Sequence, residues 1–261
     1  MPLAPVNGAD LHYEVDGDGP TIVFAHGGEG THLHWWQQVV AFHHDHRCIT
    51  YDARGFGLSS RTPSDRGTDV HWLDLLGLLD ALDVGRAVLV GQSMGGWAVS
   101  GMAQNRPDRV DGLVMADTPF NFATPALSQW AVEMIEKITQ GFDVVAACLS
   151  PRFAEREPGL AHLFHALSRL NPPRTGPRGL DAYAQMRDQA PGDYTGFAVP
   201  TLFIVGDVDA LTFPWLIEAT AAAVGGARVA TVADAGHSAY FERAEAFNEC
   251  LRGWMADASL A

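Results

Sequence analysis

Basic residues are scarce in this chain. Its 261 residues carry 17 lysines and arginines against 31 aspartates and glutamates, a formal net charge of −14. Such a surplus of negative charge argues against nucleic acid and against an anionic membrane surface as partners. Lysine is nearly missing, Lys137 standing beside sixteen arginines, a bias that carries no functional signal. Cysteine is also rare. Cys48, Cys148 and Cys250 are far apart, odd in number and without a C-x-x-C pair, which argues against a disulfide framework and suits a reduced, cytoplasmic chain. No apolar run approaches about 20 residues, so no helix is expected to span a membrane. The opening Met1-Pro2-Leu3-Ala4-Pro5 lacks the charged and apolar regions of a signal peptide, and none is expected. No G-x-G-x-x-G or P-loop pattern follows a strand-like run, so neither a nucleotide site nor any other cofactor is expected.

Apolar residues are abundant, at 47% of the chain, enough for a sizeable core. The length fits one large α/β domain, or a core domain with an inserted cap. Asn7-Gly8 is a hairpin turn signal, followed by an alternating run at residues 11–15 that reads as an edge strand. Further strands are predicted at residues 21–25, 47–51, 88–90, 110–116, 200–205 and 228–232, with apolar residues at helical spacing over 73–82 and a helix-compatible run over 97–104. Strands alternating with helical segments predict an α/β fold, a mostly parallel central sheet with helices on both faces.

Between Asp117 and Pro200 that rhythm stops. About eighty residues without a strand is too long for an ordinary connection. Helices are predicted at 125–141 (Thr124-Pro125 at its start, Gly141 at its end), along the stripe Leu160, Leu163, Phe164, Leu167 and Leu170, and at 180–189. We therefore expect a helical cap at residues 119–197 inserted into a core made of 1–118 and 198–261. Most aromatics of this segment, among them Phe120, Phe122, Trp130, Phe142, Phe153 and Phe164, are expected to form the cap's own core, with the rest roofing an apolar pocket.

The chemistry centres on Gly91-Gln92-Ser93-Met94-Gly95. A β-branched run ends at a glycine, a serine follows, and a helix begins. A turn so sharp strains the serine backbone, lifts its hydroxyl above the sheet and tolerates only small neighbours two residues away. A serine hydroxyl is a weak nucleophile and needs a base within hydrogen-bond reach, and imidazole suits that task. Of eleven histidines, His237 is best set, in a loop after the last predicted strand. The base in turn needs a carboxylate, and two compete: Asp209, past the penultimate strand, and Asp117, at the end of the strand after the serine. The negative charge of acyl transfer needs backbone donors. The N–H groups of Met94 and of Gly28, in His26-Gly27-Gly28, are the candidates.

Together His26-Gly27-Gly28, residues 52–59 (DARGFGLS), Gly91-Gln92-Ser93-Met94-Gly95, Gly206-Asp207-Val208-Asp209 and Gly236-His237 resemble the α/β-hydrolase superfamily. The resemblance spans nearly the whole chain apart from the cap. It implies the fold named above, a nucleophile elbow at Ser93, and the chain order Ser93, Asp209, His237. It also implies that residues 52–59 form a structural turn, with Asp52 and Arg54 structural. Haloalkane dehalogenases and epoxide hydrolases of that superfamily have aspartate where this chain has Ser93, so their chemistry is disfavoured. The expected activity is serine-dependent cleavage of an ester or lactone of a mainly apolar small molecule, aromatic ones included. C–C bond hydrolysis, perhydrolysis or cofactor-independent oxygenation on the same scaffold are the alternatives, with a weakly active small-molecule receptor behind them.

Other features are set aside. His43-His44-Asp45-His46 looks like a metal cluster, but no further ligand set joins it at the right spacing, and no metal site is expected. His32, Trp97, Phe120 and Trp130 are candidates for the substrate pocket. Trp35 and Trp36 are expected to anchor the next helix, and Cys48 to be a small core residue. The expected partner is the small-molecule substrate alone, for a monomer or homodimer.

Overall fold

Runs of β-branched and apolar residues become strands buried on both faces. The computed structural model describes residues 1–64, 67–172 and 180–260. Eight strands form one sheet: β1 (Leu3–Val6), β2 (Ala9–Asp16), β3 (Thr21–Ala25), β4 (Arg47–Tyr51), β5 (Ala87–Gln92), β6 (Val110–Ala116), β7 (Thr201–Gly206) and β8 (Arg228–Val232). Their spatial order is β1-β2-β4-β3-β5-β6-β7-β8. Pairing is antiparallel from β1 to β2 and from β2 to β4, and parallel from there on. Asn7 and Gly8 take φ of 47° and 76°, as a two-residue hairpin with the primed turn requires. β2 is not the edge expected of it. β1 covers it, and Pro5, which cannot donate to a ladder, is tolerated because β1 itself lies at the edge.

Strand alternation sends successive residues to two cores. On one face Ile22, Phe24, Val88, Val90, Val114 and Ile204 pack together. On the other lie Val23, Leu89, Leu113, Met115, Phe203 and Val205. The helices ahead of the insertion are α1 (Trp36–Phe42), α2 (Asp69–Ala81) and α3 (Gly95–Asn105). Among the described residues, α4 (Pro125–Thr139), α5 (Pro151–Arg156), α6 (Pro158–Ser168) and α7 (Leu180–Asp188) fall between β6 and β7. The last three are α8 (Pro214–Ala223), α9 (Ala239–Glu242) and α10 (Ala244–Asp257). Leu75 and Leu78 of α2 and Val99 of α3 cover the second face, while Phe42 of α1 and Phe247 and Leu251 of α10 cover the first. α8 escaped the sequence reading because Trp215, Leu216, Ile217 and its alanines leave no single apolar stripe.

The four helices between β6 and β7 do not build a core apart from the sheet. Leu127, Trp130, Met134, Phe153 and Phe164 join the same cluster as Phe24 and Val90. Phe122 departs further from expectation. It lies in the opposite cluster, against Phe203 and Phe197. The expected leucine stripe is only partly buried, since Leu163 and Leu170 are exposed and Ala161 and Phe164 face inward. Near its two ends the insertion is clipped together, Gly192 N–H donating to Ala123 C=O (2.9 Å) and Ala123 N–H to the Tyr194 hydroxyl (2.9 Å). Trp35 is fully buried, but Trp36 is exposed on the outer side of α1. No helix among the described residues is long and apolar enough to cross a membrane.

Candidate active site

β5 runs through the middle of the sheet and stops at Gln92, and α3 starts at Gly95. Only Ser93 and Met94 make the turn, which forces Ser93 to φ 48°. That left-handed conformation costs a non-glycine residue on the order of 1–2 kcal/mol. The surroundings hold it: Ser93 N–H donates to Ala116 C=O (3.1 Å), and Ser93 C=O accepts from Gly96 N–H (2.8 Å). The flanking glycines are obligatory. A Cβ on Gly95 would stand 2.2 Å from the Ala25 carbonyl oxygen, and one on Gly91 2.6 Å from that of Gly95.

His237 sits in the loop after β8, and its Nδ1 lies 3.0 Å from Asp209 Oδ2. Both side chains are buried. Asp209 is itself tightly held. Oδ1 accepts the N–H groups of Leu211 (2.7 Å) and Thr212 (3.0 Å), and Oδ2 lies 2.6 Å from the Thr212 hydroxyl. Burial opposes its charge, but the His237 imidazole and these hydrogen bonds win and hold its pKa below the ordinary carboxylate value. A carboxylate accepts only, so the proton of the pair belongs on Nδ1, leaving the Nε2 lone pair free to act as a base.

Asp117, the competing acid, does something else. Its Oδ1 accepts Gly206 N–H (2.9 Å) and its Oδ2 accepts Ala239 N–H (3.2 Å), so it ties the ends of β6 and β7 to the start of α9. Burial, together with the negative charge of Asp209, pushes its pKa well above the usual range. His237 Nδ1 pairs with Asp209 and not with Asp117.

Ser93 and His237 line one cavity, together with Gly28, Met94, Trp97, Phe120 and Trp130. Gly28 and Met94 are neighbours there, a Cβ on Gly28 falling 4.0 Å from Met94 Cβ. Among the described residues, neither backbone N–H has an intramolecular acceptor. The remaining wall is mostly apolar. Phe164, Tyr183 and Met186 come from the insertion, and Leu211 and Tyr240 from the core. His32 is not part of it. Its Nδ1 and its N–H both meet Asp52 Oδ1, at 2.9 and 2.7 Å, so the pocket role expected of His32 is replaced by a structural one. Asp52 also accepts Leu58 N–H (2.8 Å). Burial works against its charge, yet the His32 hydrogen bond, nearby His26 and these amides bring its pKa down to about 2. Arg54 pairs with Asp74 at 2.7 Å.

Two polar residues at this site were not singled out from the sequence. Gln92 donates from Nε2 to His237 C=O (2.7 Å) and thereby fixes the loop that carries the imidazole. Thr212 secures Asp209. Gln92 lies inside the serine motif and could have been found there, whereas nothing local marks Thr212. Cys48 is buried as expected, its thiol pushed up to about 12 by burial. His46 of the histidine-rich segment is occupied by Asp45 (3.0 Å), which also binds Arg252 (2.8 Å).

The signature of the alpha/beta hydrolase fold matches residues 20–244. The chain belongs to the alpha/beta hydrolase fold family. This alpha/beta hydrolase is 29% identical over 257 residues to an sn-1-specific diacylglycerol lipase of Mus musculus, covering 93% of this chain and 83% of that one. It is 40% identical to an epoxide hydrolase of Caballeronia sordidicola over 118 residues, a match that spans 44% of this chain and only 36% of that protein. Among solved structures it resembles the enol-lactonase of Burkholderia xenovorans, with a TM-score of 0.76, 26% identity, and coverage of 98% of this chain and 100% of that one. These three relatives break different bonds, and a putative non-heme bromoperoxidase of Mycobacterium tuberculosis, 28% identical over 95% of this chain and 98% of its own length, stands beside them.

Proposed function

We propose that this alpha/beta hydrolase is a serine-dependent esterase or lactonase acting through an acyl-enzyme on a mainly apolar small molecule. The observation that carries the reading is the strained Ser93 in one cavity with His237, whose Nδ1 is paired to buried Asp209. Ser93 Oγ attacks the carbonyl carbon while His237 Nε2 accepts its proton. The tetrahedral oxyanion is met by the N–H groups of Gly28 and Met94, the latter beside the N-terminus of α3. His237 then protonates the leaving alcohol and later takes a proton from the water that frees the acid. Asp209 positions the imidazole and stabilises its positive form.

The apolar wall favours a substrate whose acyl or alcohol part is hydrophobic. Phe120, Trp130, Phe164, Tyr183 and Met186 come from the insertion, which supports residues 119–197 acting as a lid over the site. Serine at position 93 argues against epoxide opening, for which the superfamily resemblance implies an aspartate at this position.

A fluorophosphonate probe followed by peptide mass spectrometry tests the reading. Modification confined to Ser93, and lost in His237→Ala, is the expected result. A folded protein that takes up no label would overturn it and favour proton abstraction or ligand binding without turnover.

A further inference from the structure

A second cluster of donors lies where β2 meets the turn that follows β3. His12 and Glu14 are two residues apart on β2, so strand alternation places both on one side of it. His32 opens the short 3-10 helix His32–Trp35. The rings of His12 and His32 are 4.5 Å apart between centroids, and His32 Nε2 is 3.7 Å from Glu14 Oε1. One donor atom from each of the three residues lies within 4.8 Å of the other two.

His12 is the independent indication. Its side chain is fully buried, yet among the described residues neither ring nitrogen has a hydrogen-bond partner. The Asp52 carboxylate stands 3.6 Å from its Nδ1, beyond hydrogen-bond reach. An interior imidazole normally finds a partner, because burying it unpaired forfeits the hydrogen bonds it had in water. His32 differs in a telling way. Its Nδ1 is bound to Asp52 Oδ1, so the proton sits there and the Nε2 lone pair faces Glu14. A carboxylate behind the far nitrogen of a histidine is how metal-binding imidazoles are oriented.

We propose that His12, Glu14 and His32 bind a divalent transition-metal ion of the zinc class, with Asp52 as the outer group that orients His32. Two imidazoles and one carboxylate suit zinc, whereas calcium and magnesium prefer all-oxygen shells. Donors about 2.1 Å from a tetrahedral ion stand about 3.4 Å apart, so the cluster closes by roughly 1 Å on loading. Glu14, 46% exposed, is the ligand with most room to move, and the fourth position is left to water. None of the three ligands lines the Ser93 cavity. The ion would bind β2 to the chain just beyond Gly28, bracing the turn that carries this amide. The histidine-rich segment at residues 43–46 takes no part.

The test is titration of chelator-treated full-length protein with Zn²⁺ by calorimetry and with Co²⁺ by visible absorption. We expect one equivalent to bind, with the Co²⁺ ligand-field bands of a low-coordinate site and a rise in Tm. Glu14→Gln, a change at a half-exposed side chain, should weaken Zn²⁺ binding about tenfold or more and abolish the Tm rise. His12→Ala should do the same where it folds. A His43→Ala/His44→Ala variant should bind like wild type. Absence of saturable uptake would overturn the proposal. So would binding that survives Glu14→Gln but disappears in the His43/His44 variant, which would place an adventitious ion on the surface segment.

Discussion

Replacing Asp209 by asparagine separates the two acids that compete for His237. The carboxylate takes four contacts: Leu211 N–H and Thr212 N–H on Oδ1, and the Thr212 hydroxyl and His237 Nδ1 on Oδ2. In Asp209→Asn the remaining oxygen can keep both amides, and the Thr212 hydroxyl can turn to accept from the new NH₂. Only His237 has no substitute. An NH₂ group cannot accept from Nδ1–H, so the ring adopts the other tautomer and its Nε2 carries a proton where a lone pair is needed. In the serine-protease template this swap costs about 10⁴-fold in turnover, equivalent to about 5.5 kcal/mol of barrier. We expect a loss of that order in kcat on any p-nitrophenyl ester that the wild type cleaves, and in the rate of fluorophosphonate labelling, with the fold retained by circular dichroism. Asp117→Asn disturbs amides of Gly206 and Ala239 but not the imidazole, so its kcat should stay within about tenfold of wild type. The reverse pattern, with Asp117→Asn inactive and Asp209→Asn active, would refute the assignment.

Gly95→Ala places a Cβ 2.2 Å from the Ala25 carbonyl oxygen, and backbone cannot step aside. A loss of about 3 kcal/mol or failure to fold is expected, read by urea denaturation. Asp52 has a folded pKa of about 2 against an ordinary 3.8. A depressed acid stabilises the fold above its unfolded pKa and loses that effect as pH falls through the folded value. We therefore expect about 2 kcal/mol to vanish between about pH 4 and pH 2, a slope that Asp52→Asn should flatten in denaturation curves at stepped pH. Glu242 runs the other way. It accepts Ser150 N–H (3.0 Å) and the Ser150 hydroxyl (2.6 Å), while burial raises its pKa. The folded state then holds its proton more tightly than the unfolded chain, so this residue's contribution to stability declines as pH rises past the ordinary glutamate value. Glu242→Gln should lessen that decline, checked by Tm across pH 4 to 7.

By itself the sequence determined the parallel strands β3 to β8, the sharp turn at Ser93 and the chain order of Ser93, Asp209 and His237, while the edge strand β1 escaped it. The reason is that these are local: buried parallel strands read as β-branched runs, and Ser93 needs glycines at fixed offsets because backbone crowds it on both sides. The eighty-residue gap between Asp117 and Pro200 likewise announced the helical insertion. Tertiary structure decided what depends on distant groups meeting. Asp117 and Asp209 follow adjacent strands and look alike in the chain, and only the fold brings His237 to Asp209 and leaves Asp117 with the amides of Gly206 and Ala239. Phe122 and Phe120 are two residues apart, yet one joins the far core and the other the cavity. His32 stood near the Gly28 turn in sequence, but Asp52 draws its ring away from the pocket and toward His12 and Glu14. No periodicity encodes that meeting, because β2 and the His32 turn are joined by packing and not by sequence.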